Sequence, residues 1–185
     1  MNVFALSLVV AECAAYHGNR HVVKMILETA QMLCSVFICT TPVDVPYKLT
    51  HKNHPWSVWA RTSLQNYEWL LSLGFALCDE YTYRYGKKHA TRTVLDHLKT
   101  LGDPLIPCIG LTPKPLAMPI EYHVRDPVQA YTLYYQQEKR HLFAWKKRAM
   151  PSTLKLPYLD DIRKLHTDAY TTESVAPCKK RKRSV

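Results

Sequence analysis

The stretch "RHVVKMILETAQMLCSVF", Arg20 to Phe37, constrains the fold more than any other part of the chain. At about 100° per residue, His21, Lys24, Glu28, Gln31 and Ser35 fall within an arc of about 80°. Apart from Thr29, every other residue from Val22 to Phe37 is apolar. A helix of this pattern must be covered on nearly every side, so it belongs in the middle of a helical domain. Its one polar seam has two readings. It is either a thin strip left open to water, for which His, Lys, Glu and Gln are ordinary occupants, or the wall of a site.

A second segment, "THKNHPWSVWARTSLQNYEWLLSLGFALCDEYTYRYG", reads as one long helix opening at Pro55, with Asn53 or His54 as its cap and Gly74 as a place where it could bend. His54, Ser57, Arg61, Gln65, Glu68 and Ser72 again share an arc of about 80° among apolar neighbours. Two such helices could face each other with their seams across a cleft. "KHATRTVLDHLKTLG" suits a third helix stopped at Gly102, and Asp126 with Pro127 opens a fourth, "PVQAYTLYYQQEKRHLFAWKKR". Between them "DPLIPCIGLTPKPLAMP" is too rich in proline for either element and reads as an ordered loop or crossing strap. "NVFALSLVV" is either a short buried strand or the first turns of a helix. The expected fold is therefore mostly α: a single-domain bundle of about four helices with a Pro-rich loop and a basic, disordered C-terminal tail.

The chain of 185 residues is 47% hydrophobic, enough for one domain with a substantial core and a tail. We divide it into a helical, candidate catalytic domain over 1–148, a linker or docking segment over 149–175 and a basic tail over 176–185. A formal net charge of +10 points to a polyanionic partner, nucleic acid first. The run Lys179, Lys180, Arg181, Lys182, Arg183 has the form of a nuclear localisation signal, with a bare nucleic-acid-binding tail as the other reading. It implies a nuclear import receptor as a second partner and the nucleus of a eukaryotic host cell as the destination.

Six Cys show no CxxC pair and no zinc spacing, so they read as thiols of a reducing compartment. "THKNH" offers His51 and His54 but no third ligand close by, so no metal and no cofactor is expected. "VFALSLVVA" lacks a preceding basic residue and is followed by Glu12, which argues against a secretory signal. No window is expected to be apolar enough to span a membrane. Oligomeric state is not encoded in any pattern here.

The chemistry on offer follows from residue types. A carboxylate partly withdrawn from water, Glu28, can exchange protons with a substrate, and His21 is of the type that titrates near neutrality. Lys24 beside apolar neighbours could be an amine nucleophile toward a sugar C1′. Arg20, Arg61 and His54 suit phosphates, His54 by its position at a helix N-terminus. Trp56, Trp59, Trp69 and Trp145 read as core, whereas Tyr83, Arg84 and Tyr85 are the better candidates for contact with bases.

"RHVVKMILETAQML", "THKNHPWSVWARTSLQNYEWL" and "ALCDEYTYRYGKKH", with "AMPIEY" and "DPVQAYTLYYQQEK", resemble a group of uncharacterised proteins of bacteriophages and large DNA viruses over residues 1–148. That group is in turn distantly similar to the pyrimidine-dimer DNA glycosylases of the phage endonuclease V type. Those are small, basic, all-α enzymes that carry a His on the first helix and the essential Glu seven residues later, as His21 and Glu28 stand here. The resemblance implies a DNA N-glycosylase with abasic-site lyase activity. The N-terminal amine, here that of Met1, would attack C1′, a Schiff base would form, and Glu28 would assist before β-elimination. It further implies a DNA surface including Arg20, His54, Arg61, Gln65 and Arg84. Two arginines of the family fall here on Leu27 and Gln31, and Asn2 is larger than the family's second residue. The alternatives are a non-catalytic DNA-binding or packaging protein and an enzyme of free nucleotides.

Overall fold

The computed structural model describes residues 1–155. The described chain is mostly α, with six α-helices: α1 (Val10–Tyr16), α2 (Asn19–Thr40), α3 (Pro55–Thr62), α4 (Leu64–Tyr85), α5 (Arg92–Thr100) and α6 (Pro127–Glu138). Three short 3-10 turns, Ile120–Tyr122, Arg140–Leu142 and Ser152–Leu154, follow one another around α6. The basic run Lys179–Arg183 and the rest of the tail lie outside the described residues.

The helix count is six, where about four were expected, for two physical reasons. The apolar N-terminal segment is neither a strand nor the start of a helix: Val3 to Leu6 are buried without regular secondary structure, and α1 begins only at Val10. The long second helix breaks at Ser63, whose backbone is extended (φ −148°, ψ 146°). There the Leu64 amide donates to the Pro107 carbonyl at 2.8 Å and the Ser63 hydroxyl to the Gly110 carbonyl at 2.7 Å. The proline-rich strap thus takes over backbone groups that an uninterrupted helix would have satisfied within itself.

The start signals act as their residue types dictate. Pro55 opens α3 while the His54 ring accepts from the Trp56 amide at 3.2 Å, and Pro127 opens α6 while the Asp126 carboxylate accepts from the Val128 amide at 3.0 Å. α4 ends on Gly86 in the left-handed region, φ +70°. Gly74, expected as a bend, lies within one continuous helix. Its reason is room: a Cβ there would meet the Leu95 Cδ1 at 3.0 Å and the Thr29 Cγ2 at 3.2 Å, because α4 presses on α2 and α5 at that point.

α2 and α4 form the centre, with α1 on α4, α3 on both, and α5 across the two. Trp56, Trp59 and Trp69 close one end of the core as an aromatic group, with Trp56 and Trp69 stacked at 6.0 Å and the Trp56 indole donating to the Tyr131 hydroxyl at 2.7 Å. α2 corrects one expectation. It is 22 residues long and its most apolar 18-residue window has a mean hydropathy of 1.7, long and apolar enough to cross a membrane. Within that window 67% is buried by the other elements, so here its apolar surface is spent on the core. Leu154 is part of the same core, so the packed structure reaches past position 148.

Candidate functional site

At four positions in the N-terminal half of α2, burial runs against hydropathy. Val23 and Leu27 are each 38% exposed, whereas His21 and Glu28 are each only 7% exposed. The His21 and Glu28 positions of the polar seam are therefore covered, whereas Lys24 between them remains open to water. What covers His21 and Glu28 is the N-terminal segment, α6 and the turn after it, which enclose a cavity of about 490 Å³ at the N-terminal half of α2.

Asn2 seats the N-terminus on this cavity. Its backbone amide donates to Glu28 Oε2 at 2.7 Å, its side-chain amide donates to the Ala117 carbonyl at 3.0 Å, and its Oδ1 accepts from the Val3 amide at 2.8 Å. The chain start is thereby held between α2 and the end of the strap, and Met1 lines the cavity. The other Glu28 oxygen pairs with Lys24 Nζ at 3.3 Å. Lys24 is not the desolvated amine that its apolar neighbours suggested: its side chain is 66% exposed and ion-paired.

His21 is held by Tyr135, with Nδ1 2.6 Å from the phenol oxygen, which also accepts from the Gly18 amide at 2.9 Å. Burial, with His17, Lys139, Lys24 and His141 adding to it, lowers the His21 pKa to about 3, so the ring is neutral at pH 7. Burial also pushes Tyr135 up, so the phenol keeps its proton and donates it to Nδ1. The resulting tautomer carries its hydrogen on Nε2. His21 is thus a neutral group and not the near-neutral titrating one that its residue type suggested.

His54 reaches the site from α3. With Nδ1 accepting from Trp56, its other nitrogen is the donor, and it hydrogen-bonds the Met1 backbone. Burial lowers its pKa, the N-terminal ammonium and His51 lower it further, and Glu28 and the Met1 hydrogen bond oppose them. Of the second seam, His54 is the residue placed beside Met1 and within electrostatic reach of Glu28. Arg61 turns away, donating to the Lys52 and Ser57 carbonyls at 2.6 and 3.2 Å. Gln65 is used to hold the strap, accepting from the Gly110 amide at 3.0 Å and donating to Cys108 Sγ at 2.9 Å.

Arg84, expected among base-contacting residues, is fully buried. It donates to Glu80 at 2.6 Å, to the His17 and Ala15 carbonyls at 2.8 and 2.9 Å, and to Asn19 Oδ1 at 3.1 Å. The four-residue spacing from Glu80 to Arg84 was the one local signal of that role. Arg20 stands exposed at the cavity wall.

Four further polar lining residues were given no site role by the sequence reading: Asn2, Tyr134, Lys139 and His141. The run "EKRH" falls inside the expected fourth helix, which instead ends at Glu138, so no local signal placed Lys139 and His141 at the cavity. Together with Arg20 and Lys24, Lys139 makes the cavity cationic around the single carboxylate of Glu28. Such an arrangement attracts an anion and offers it one proton-exchanging group beside an amine. Compared with protein-family models, curated proteins and solved structures, the chain matches none.

Proposed function

We propose that the protein is an enzyme of damaged DNA, and more closely an N-glycosylase with abasic-site lyase activity. The observation that carries this reading is the hydrogen bond from the Asn2 amide to Glu28, which keeps the residue-1 amine and a buried carboxylate in one cationic cavity. An α-amine is a better nucleophile near neutral pH than a solvated lysine ammonium, so Met1 is preferred over Lys24.

In this reading the neutral amine of Met1 forms a bond to C1′ while the bond from C1′ to the base breaks, and the base leaves with the bonding electron pair and takes up a proton. Loss of the amine proton and protonation of the ring oxygen, both relayed by Glu28, open the sugar to a Schiff base. Removal of a C2′ proton then expels the 3′ phosphate by β-elimination. Arg20 and Lys139 would hold flanking phosphates, and neutral His21 and His54 would orient the reacting groups without adding charge. The basic run Lys179–Arg183 supports a nuclear destination and an import receptor as partner.

The test is incubation with duplexes carrying a cyclobutane dimer, an abasic site or no lesion, with borohydride present. A covalent adduct on a lesion duplex, mapped by mass spectrometry to the residue-1 peptide, is expected, and Glu28→Gln should lower its rate by about 10²–10⁴. An adduct on Lys24 would move the nucleophile. Binding to all three duplexes with no adduct and no nick would leave only the DNA-binding reading.

A further inference from the structure

Residues 139–148, "KRHLFAWKKR", leave α6 beside the cavity and cross the junction of α1 and α2 to reach the C-terminal end of α4. The path is fixed by backbone contacts along its length. The Asn19 amide donates to the Ala144 carbonyl at 2.8 Å, the Lys146 amide to Asn19 Oδ1 at 2.8 Å, and the Tyr83 hydroxyl to the Lys147 carbonyl at 3.1 Å. Trp145 adds a hydrogen bond from its indole to the Tyr16 carbonyl at 3.2 Å. At Gly18 an added Cβ would come within 3.6 Å of the Leu142 carbonyl oxygen and 3.7 Å of that of Ala144, so the segment lies directly on the chain that enters α2.

Its cations are not used inside the fold to the same degree. Arg148 is ion-paired, with two bonds of 2.7 Å to Glu80, a carboxylate it shares with Arg84. Lys147 donates to the Tyr83 carbonyl at 3.1 Å and so serves the end of α4. Lys139 and Lys146 instead rest on tyrosine faces, 5.1 Å above Tyr134 and 5.3 Å above Tyr85, and Arg140 is exposed. Among the described residues, none of these three has a carboxylate within ion-pair distance. The tyrosine rings hold the ammonium groups in place without neutralising them.

We propose that Lys139, Arg140 and Lys146 form a phosphate-tracking edge that carries the flank of a duplex away from the cavity, a surface distinct from the residues the sequence suggested. It rests on the reading of the site as DNA-acting. Three uncompensated cations on one pinned segment, starting at the cavity wall, suit a regularly spaced polyanion better than a single small anion. The edge would position the duplex and carry no base specificity.

The test uses the full chain bearing Glu28→Gln, to suppress cleavage, and an unmodified duplex at several salt concentrations. Combined Lys139→Ala, Arg140→Ala and Lys146→Ala should lower the slope of log affinity against log salt by about two to three, since each lost phosphate contact is worth about 0.9. A control set with the same charge change, Lys48→Ala, Lys87→Ala and Lys99→Ala, should shift it by less than one, and melting curves of both sets should match the parent. Equal slopes for the two sets would overturn the edge even if the wild-type chain forms adducts. A lowered slope without any adduct from the wild-type chain would keep the edge and remove the enzyme.

Discussion

His17 and His21 lie four residues apart and are both buried, and burial lowers their pKa values to about 4 and about 3. His17 is the cleaner case: its Nδ1 donates to the Cys13 carbonyl at 2.6 Å, and Nε2 meets no partner. In the unfolded chain both rings take up protons below pH 6.5, whereas in the fold they do not, so the unfolded state binds more protons between pH 6.5 and about 4. Stability is fully present above that window and falls as pH drops through it, by on the order of a few kcal/mol at the acid end. Melting temperatures of wild type and His17→Phe from pH 7.5 to 4.5 check this. The variant should lose less stability on acidification, and parallel curves would refute the assignment. At this scale the identity of the site helix was legible, since apolar periodicity singles out His21, Lys24 and Glu28 together. The direction in which they face was not, because His21 and Glu28 are covered from two separate parts of the chain, the segment at Asn2 and the one from Tyr134 to Leu142, which no local pattern brings to α2.

Between elements, Gly74 decides how closely α4 approaches its neighbours. Replacing it by Ala brings about 1 kcal/mol of helix propensity, while the new methyl would press on Leu95 and Thr29 at 3.0 and 3.2 Å, an overpacking that costs about 1–3 kcal/mol. The net expectation is a loss of about 1 kcal/mol in urea unfolding. Because the clash is with the Leu95 tip, Gly74→Ala and Leu95→Val should be coupled: the double variant should be more stable than the sum of the singles predicts. Additive effects would show that the contact is not what excludes a side chain. The caps at His54 and Asp126 were readable because a cap is a local event, settled within three residues. The break at Ser63 was not, since the carbonyls that hold it, Pro107 on the Leu64 amide and Gly110 on the Ser63 hydroxyl, come from a strap whose path no periodicity encodes.

Across the whole molecule, the chain start, α4 and the basic segment are joined through Arg84. Its four bonds reach α1, the entry to α2 and Glu80, while Glu80 also holds Arg148. Burial alone would raise the Glu80 pKa, but hydrogen bonds from Arg148 and Arg84 outweigh it and hold the carboxylate below its ordinary range. Mostly-α class and a basic surface followed from pattern and composition, yet "YTYRYG" read as a surface because helix α1, which covers Arg84, was hidden in an apolar segment with no period of its own. The two arginines on Glu80 separate the argument from a mere count of ion pairs. Arg84→Met strands the Ala15 and His17 carbonyls in the interior and should cost about 3–5 kcal/mol, as breaking a buried pair does. Arg148 is 40% exposed, and Arg148→Ala leaves Glu80 paired with Arg84, so its loss should cost under about 1 kcal/mol. Urea midpoints for the two variants give the comparison directly. If Arg148→Ala proves as damaging as Arg84→Met, the junction is held from the surface segment inward, and the basic edge would then be part of the framework rather than a face laid upon it.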